Sequence, residues 1–248
     1  RSFCAMKHVG VNVAADPIFT IAYTGVTGGF VIVSADDPGQ HSSQNEQDNR
    51  NYAKAARLLM LEPSNSQECK DYMKMAFGLS ERFDAPVLFH VTTRVCHSKG
   101  IVELGDREEH EYVPYKKQIE KYVSAPANAK KMRVNLETKL ANMEAYANET
   151  EIYTLIKTLA DNAIRYTPTS GQIDLGFDDN DTHLTLWVED NGPGIPPEER
   201  RRVLDPFYRI LGSEQQGTGL GLSIADTIAK RYGGKLILSD KRRTGHGL

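Results

Sequence analysis

Apolar positions in the first half of the chain form short continuous runs, separated by a segment with helical periodicity. Residues 30–33 read Phe-Val-Ile-Val and residues 87–91 read Val-Leu-Phe-His-Val, and runs of this length and composition predict buried strands. Between them, Ser64 and Gln67 have the spacing of a helix capping box. Apolar side chains then recur at helical spacing, at Tyr72, Ala76, Leu79 and Phe83. This alternation predicts a parallel sheet with both faces covered.

The second half of the chain has a different rhythm. Residues 172–177 and 184–189 alternate apolar and polar side chains around a polar stretch at 178–182, a pattern typical of an antiparallel hairpin. A helical apolar stripe precedes them, at Ile152, Leu155, Ile156, Leu159 and Ala163. Further predicted elements are a short helix opening at Pro196, a helix from the Gly217–Gly221 cluster to about Tyr232, and a last strand at 235–239. Together they predict an α+β arrangement.

The stretch between these two patterns is polar and contains prolines. Residues 105–131 are charged and are predicted to be loop-like, whereas residues 136–146 are predicted to form a modest helix. We therefore place the boundary between the two patterns near Asn148. The predicted organisation is a first domain at 1–135, a helical linker at 136–148 and a second domain at 149–248.

Composition indicates a soluble globular protein, which we expect in the cytoplasm. The chain has 248 residues, of which 40% are hydrophobic and 25% charged, with a net charge of -3. So mild a charge gives no reason to expect a nucleic acid or an anionic membrane as partner, and no apolar run reaches the roughly 18 residues that a membrane span needs. Cys4, Cys69 and Cys96 are far apart and are expected to be free thiols. Because the chain opens on Arg1, we expect it to begin within a domain.

Three polar, glycine-containing clusters follow one another in the second half. They are Asp161–Pro168 at the end of a predicted helix, Asp190–Ile195 after a predicted strand, and Gly217–Leu222 before a predicted helix. An Asn oxygen suits Mg²⁺, an Asp can accept a hydrogen bond from an adenine amino group, and glycines at a helix start bring N–H groups close to an anion. One such cluster is often only a tight turn, but three in this order indicate a nucleotide site.

These clusters resemble the catalytic domain of sensor histidine kinases, within the wider gyrase, heat-shock-chaperone and mismatch-repair ATPase group. Residues 161–168, 190–195, 205–209 and 217–221 resemble its N, G1, F and G2 boxes. The resemblance covers about the last 100 residues of the chain. It implies a C-terminal α/β sandwich, with a mixed sheet covered on one face by helices.

The resemblance also implies roles for single residues. Asn162 would hold Mg²⁺, Arg165 would face the phosphates, and Tyr166 would lie along the adenine. Asp190 would read the adenine amino group, and residues 210–216 would form a mobile ATP lid. The implied nucleotide-binding residues are Asn162, Arg165, Tyr166, Asp190, Gly192, Gly194, Gly217, Gly219 and Gly221.

The second half departs from the family pattern in two respects. Thr158 stands where the family often carries a polar Asn one helical turn before the metal ligand, so metal binding is expected to be weaker or differently arranged. The phosphoacceptor motif H-E-x-x-x-P is lacking, because His110–Pro114 is one residue too short and lies in a charged segment. We therefore predict ATP binding without autophosphorylation and assign no catalytic residue. The domain is also expected to lack terminal strands, which would leave residues 236–238 at an unprotected sheet edge.

The first half resembles the large subunit of indolepyruvate:ferredoxin oxidoreductase, a family that uses thiamine diphosphate and iron–sulfur clusters. The resemblance is carried by residues 2–12, 36–39, 41–48, 61–64 and 92–105. It implies a fragment of the domain that holds the thiamine pyrimidine. The fragment lacks the acidic residue that activates the cofactor, the domain that binds the diphosphate, and the cysteines that hold the iron–sulfur clusters. We therefore expect no thiamine diphosphate in this chain and transfer no catalytic residue. Four residues are only candidates for lining a pocket, namely His8, His41, Asn45 and Arg94.

Three hypotheses about function remain open. The first is Mg-ATP binding by a histidine-kinase-type domain attached to an α/β segment. The second is a component of a thiamine-dependent 2-oxoacid:ferredoxin oxidoreductase. The third is a chimera, a join of two unrelated fragments without an integrated function. The parent families imply a response regulator as partner of the second half, or a second oxidoreductase subunit and ferredoxin as partners of the first.

Overall fold

The structure is a computed structural model that describes residues 1–107, 109, 112, 114–180, 182–210 and 219–240. The chain divides into two compact units, unit 1 (Arg1–Ala145) and unit 2 (Tyr146–Leu248). Some predicted features lie outside the described residues, namely His110 and Glu111 of the short H-E motif, Gly217, and the lid at 211–216.

Unit 1 is built around a parallel sheet. Its strands are β1 (Ser2–Lys7), β2 (Phe30–Asp36), β3 (Leu59–Leu61) and β4 (Val87–Thr92), in the order β1-β2-β4-β3. Val31 and Ile32 are neighbours on β2 and both are buried, as are Val87 and Leu88 on β4. Because neighbouring side chains on a strand point to opposite faces, the sheet is covered on both faces. The predicted parallel sheet is confirmed, while its thiamine-enzyme type stays a prediction.

The described part of unit 1 contains six helices before residue 126, namely α1 (His8–Val13), α2 (Ala15–Thr24), α3 (Arg50–Ala56), α4 (Ser66–Phe83), α5 (Thr93–His97) and α6 (Ile119–Tyr122). Helix α4 buries Ala76, Leu79 and Phe83, as its periodicity predicts. Its capping box lies one residue further along the chain than predicted. The Asn65 side chain accepts a hydrogen bond from Glu68 N–H at 2.9 Å. The Glu68 carboxylate accepts one in return from Ser64 N–H at 2.8 Å.

A single long helix, α7 (Pro126–Tyr166), joins the predicted linker helix and second-domain helix and takes in the end of the segment 105–131 that was predicted to be loop-like. After Pro126 the sequence contains no proline or glycine until Pro168, so nothing breaks the helical backbone. The described residues from Gly105 to Gln118 lie outside helices and strands, as predicted. The division between the two units falls within this helix, and the assignment of 1–135, 136–148 and 149–248 to separate segments stays a prediction.

Unit 2 contains the predicted antiparallel hairpin, formed by β5 (Ile173–Asn180) and β6 (His183–Asp190). Leu175 lies opposite Val188, and Phe177 lies opposite Leu186. A 3-10 helix at Arg202–Leu204 and helix α8 (Gly221–Arg231) complete the regular elements of the described part of unit 2. In that part the sheet is antiparallel only, whereas the family resemblance implies a mixed sheet.

Two other elements of unit 2 differ from the prediction. Pro196 opens a turn, in which Glu199 N–H donates to the Pro196 carbonyl at 2.9 Å, and this turn leads into the 3-10 helix. Residues 235–239 do not form a strand. Their apolar alternation suits a strand, but an extended segment needs a neighbour for its backbone groups, and the described strands of unit 2 pair only with each other. No helix within the described ranges combines the length and apolarity that crossing a bilayer requires.

Candidate functional site

The predicted N box forms the last turns of α7, and its inward face is contacted at both ends by glycines. Thr158, Asn162 and Tyr166 are spaced four residues apart and therefore lie on one stripe of the helix. A Cβ added to Gly221 would lie 3.3 Å from Thr158 Cγ2, and one added to Gly192 would lie 2.8 Å from the Tyr166 carbonyl oxygen. The G2 and G1 glycines therefore flank the half-buried Asn162 from the two ends of the stripe.

The loop after β6 is held by hydrogen bonds that leave the Asp190 side chain exposed. The Asp190 carboxylate accepts a hydrogen bond from Gly192 N–H at 2.9 Å, and the Asn191 side chain accepts one from Gln172 N–H at 2.8 Å. A cavity of about 50 Å³ adjoins these residues. It can hold a water molecule or two but not a nucleotide. The loop therefore presents Asp190 at the rim of a polar recess.

The F box and the G2 box touch through a backbone contact that requires glycine. Gly219 has a φ of 72°, and a Cβ at this position would lie 2.7 Å from the carbonyl carbon of Phe207. Phe207 N–H donates to the Gly219 carbonyl at 2.9 Å. Next to it, Tyr208 donates its hydroxyl to Glu199 at 2.5 Å, and this hydrogen bond raises the pKa of Tyr208. The contact positions the residue that leads into α8.

Helix α8 begins without a side-chain cap. Leu220 occupies the N-cap position, and the first turn contains no acidic residue. Ser223 does not cap the helix either, because its hydroxyl donates to the Leu220 carbonyl at 2.8 Å. Among the described residues, no side chain caps the first N–H groups of α8, and together with the helix dipole these groups favour an anion.

The remaining predicted site residues are placed as follows. Arg165 is exposed in the last turn of α7, and Gly194 has a φ of 72° in the loop after Asp190. Among the described residues, no three His, Cys, Asp or Glu side chains form a group that could hold a metal ion. The metal role of Asn162, an amide side chain, stays a prediction, as do the nucleotide-binding roles of the other site residues.

Unit 1 carries a second candidate site, a buried polar cluster at the carboxyl ends of its central strands. Its fully or nearly buried members are His8, Ser34, Asp36, Asn49 and His90. Asp36 accepts hydrogen bonds from Asp37 N–H at 2.8 Å and Asn49 N–H at 3.2 Å. His90 Nε2 lies 2.9 Å from Asp36 Oδ2, and its Nδ1 lies 3.1 Å from Glu62 Oε2. The imidazole of His90 thus lies between two carboxylates and is hydrogen-bonded to that of Asp36.

His8 occupies the other side of Asp36. Its Nε2 lies 3.1 Å from the Asn45 carbonyl oxygen, and because a carbonyl only accepts, this nitrogen carries the proton. Its Nδ1 lies 3.9 Å from Asp36 Oδ1. Within the described residues, His8 Nδ1 and Asn49 Oδ1 have no hydrogen-bond partner, which is unusual for buried polar atoms. The cluster therefore has acceptor capacity left for a small donor such as water.

The four pocket-lining candidates of unit 1 do not come together. His8 belongs to the buried cluster and Asn45 reaches it through its backbone carbonyl, but His41 and Arg94 are exposed. Asp37, which lies next to the cluster, was not among the predicted pocket-lining residues. Its carboxylate accepts hydrogen bonds from the Thr93 hydroxyl at 2.6 Å and Ser42 N–H at 2.7 Å, which hold the pKa of Asp37 well below its usual range.

One sequence signal could have found the cluster. Ser34 and His90 are polar residues inside apolar strands, and the structure places them opposite each other on β2 and β4. Asn49 Nδ2 donates to Ser34 Oγ at 2.8 Å. A polar residue in a buried strand needs such a partner, so two of them in neighbouring strands indicate a shared network.

The geometry of unit 2 agrees with a comparison against known families. Residues 147–247 match the family of histidine kinase-, DNA gyrase B- and HSP90-like ATPases. The sensor histidine kinase RppB of Synechocystis sp. is 34% identical over 110 residues, which make up 42% of this chain and 24% of that protein. The predicted resemblance of the second half is confirmed.

The N-terminal region of the chain is similar to a different protein. Indolepyruvate oxidoreductase subunit IorA of Archaeoglobus fulgidus is 52% identical over 154 residues, which make up 61% of this chain and 25% of that protein. The IorA subunit of Methanothermobacter marburgensis is 43% identical over 179 residues, 72% of this chain and 29% of that protein. The predicted resemblance of the first half is confirmed. The chain spans about a quarter of the length of these curated relatives.

Proposed function

We propose that unit 2 binds a magnesium nucleotide, ATP or ADP, in the manner of a histidine kinase catalytic domain. The observation that carries this proposal is the position of Asn162 on α7. Gly192 from the Asp190 loop meets the helix at Tyr166, and Gly221 from the start of α8 meets it at Thr158. A base-reading carboxylate and an anion-binding helix start therefore approach the same helix face from its two ends.

Each group has a chemical role in this proposal. The exposed Asp190 carboxylate accepts the hydrogen bond of the adenine amino group, and Tyr166 lies beside the base. The uncapped N–H groups at the start of α8 bind phosphate oxygens, with Arg165 as an additional cation. Asn162 supplies one oxygen to Mg²⁺, whose other ligands are phosphate oxygens and water.

Titration with a fluorescent ATP analogue in the presence of Mg²⁺ tests the proposal. We expect saturable binding by the full chain and its loss in Asp190→Asn, because the amide presents a donor as well as an acceptor to the adenine amino group. Asp179→Asn is the matched control, since Asp179 is exposed at the far end of the hairpin from Asp190. Absence of binding by a folded sample, or equal loss in both variants, would contradict the proposal.

We further propose that the chain does not phosphorylate itself. The sequence lacks the H-E-x-x-x-P motif of the phosphoacceptor helix, so the γ-phosphate has no histidine to accept it. A response regulator, the partner implied by the family, would then depend on a phosphoacceptor that these 248 residues do not carry. Incubation with ATP labelled on the γ-phosphate should leave no acid-labile label on the protein, and a labelled histidine would contradict this.

A second candidate function is supported by unit 1. The 52% identity of 154 residues of the chain to an IorA subunit and the buried cluster of unit 1 at the carboxyl ends of parallel strands, where α/β sheets bind ligands, favour a role as part of a 2-oxoacid:ferredoxin oxidoreductase. The resemblance is to the domain that holds the thiamine pyrimidine and does not include the domain that holds the diphosphate and its metal ion. We therefore expect no heat in calorimetric titration with thiamine diphosphate and Mg²⁺. A saturable heat would support the oxidoreductase function.

A further inference from the structure

Unit 1 contains a cleft that is separate from its buried polar cluster. The cleft has a volume of about 460 Å³ and lies between the end of α2, the residue after α4, helix α6 and the first half of α7. Its lining includes Tyr23, Asp84, Lys121, Met132 and Lys139. A volume of this size falls in the range of about 300–1,000 Å³ that small-molecule sites occupy.

The charges in the wall of the cleft do not cancel. Lys121 Nζ lies 2.8 Å from Asp84 Oδ1, and Lys139 Nζ lies 2.9 Å from Asp84 Oδ2. One carboxylate therefore faces two ammonium groups. The other charged lining residues, Glu120 and Lys131, lie 4.0 Å apart and offset each other. The lining as a whole retains one positive charge.

The Lys139 ammonium keeps hydrogen-bonding capacity. Besides Asp84 Oδ2, Lys139 donates to the Asp84 carbonyl at 2.6 Å, and because an ammonium has three N–H donors, these contacts leave one. Lys121 donates to Asp84 Oδ1 and to the Val26 carbonyl at 2.9 Å and also interacts with the Tyr122 side chain, so it contributes mainly its charge. The side chains of Lys121 and Lys139 are only 27% and 16% exposed, and a partly shielded charge attracts an anion more strongly than one in bulk water.

The rest of the lining combines apolar surface with the polar side chains of Thr24, Asn135 and Thr138. Met132 is buried, with 4% of its surface exposed, and the Tyr23 ring and the aliphatic stems of the lysines add to the apolar wall. We propose that the cleft binds a small organic monoanion, with its carboxylate hydrogen-bonded to Lys139 near the charge of Lys121 and its apolar body against Met132 and Tyr23. A multiply charged inorganic anion matches the single excess charge and the apolar wall less well.

Benzoate and benzamide, which have similar shapes and differ in charge, test the proposal. In the full chain labelled with ¹³C at the methionine methyl groups, we expect benzoate to shift the Met132 signal saturably. Benzamide should bind about ten-fold more weakly, the loss expected when one charge-assisted contact is replaced by a neutral one. Equal affinity for the two compounds, or no saturable shift of Met132, would overturn the proposal.

Variants at Lys139 separate the charge from the packing. Lys139→Met should weaken benzoate binding about ten-fold, whereas Lys139→Arg keeps the charge and should retain binding. Lys130→Met is the control, because Lys130 is exposed on α7 outside the cleft lining. Unchanged binding in Lys139→Met, or equal loss in Lys130→Met, would also overturn the proposal. If Lys139→Met does not fold, the comparison of benzoate with benzamide on the unaltered chain decides.

Discussion

The polar groups of the two candidate sites, one in unit 1 and one in unit 2, lie in opposite environments. In unit 1, Asp36 is 4% exposed and His90 is fully buried, and the two side chains contact each other. In unit 2, Asp190 is exposed, and even the apolar side chain of Phe177 is 68% exposed. A buried polar group must find its hydrogen-bond partner within the protein, whereas an exposed polar group is hydrated and can exchange water for a ligand. The comparison explains why one site is a closed network and the other an open rim.

The largest expected difference between the units is in the cost of removing a leucine. Leu88 on β4 is 1% exposed, whereas Leu175 on β5 is 60% exposed. We expect Leu88→Ala to lower the free energy of unfolding by about 2–5 kcal/mol and Leu175→Ala to change it by less than about 0.5 kcal/mol. Urea unfolding followed by circular dichroism measures both values. Similar costs for the two variants would show that the hairpin face of unit 2 is buried in solution.

The second-largest expected difference is in the stability lost when an aspartate is replaced by asparagine in each unit. Asp36→Asn places an amide where a buried carboxylate meets His90 and two N–H groups, and we expect it to cost about 1–3 kcal/mol. Asp190→Asn changes an exposed side chain and should cost less than about 0.5 kcal/mol. Thermal unfolding compares the two, and a larger loss in Asp190→Asn would reverse the assignment of closed and open sites.

Two glycines test whether close backbone contacts matter in unit 2. Gly192→Ala would place a Cβ 2.8 Å from the Tyr166 carbonyl oxygen, and we expect a loss of about 1–3 kcal/mol together with weaker nucleotide binding. Gly78→Ala is the control in unit 1, because no atom lies within 4 Å of its Cβ position in α4. It should stabilise that helix by about 0.5–1 kcal/mol. Unimpaired stability of Gly192→Ala would disprove the contact.

The coupling between the units can be measured with a single fluorophore. The chain has one tryptophan, Trp187, which lies on β6 of unit 2. If the units are independent modules, the urea midpoint by tryptophan fluorescence should be unchanged in Leu88→Ala, while the transition by circular dichroism shifts. Coincident shifts by both probes would show one cooperative transition and would argue against a chimera of unrelated fragments.

The smallest expected effect concerns pH. The hydroxyl of Thr93 and the N–H groups around it lower the pKa of Asp37 in the folded chain. Its ionised form therefore stabilises the fold above the ordinary Asp pKa of about 3.9, and this contribution is lost as pH falls through the folded-state value. The stability difference between the unaltered chain and Asp37→Asn should narrow as pH is lowered from neutral. A difference that widens on acidification would contradict this assignment.

Local patterns predicted the hairpin, α4 and the central strands correctly, because alternation and helical spacing express burial within one element. They failed where the outcome depended on distant residues. The end of the segment predicted as a loop, from Pro126 on, is instead the start of a helix that no proline or glycine interrupts until Pro168. His90 was counted within an apolar run, because nothing near it in the sequence shows that Asp36 meets it from the neighbouring strand.

By itself the sequence determined the order of the nucleotide-binding clusters and the two family resemblances, since both are properties of residue type and spacing. Only the tertiary structure decided which of these residues meet. Gly192 contacts Tyr166 and Gly221 contacts Thr158 because a loop and a helix start pack against one face of α7. Ser34 and His90 face each other because β2 and β4 pair in one register. Such contacts join residues far apart in the chain, and their energies depend on register and close approach rather than on local preference.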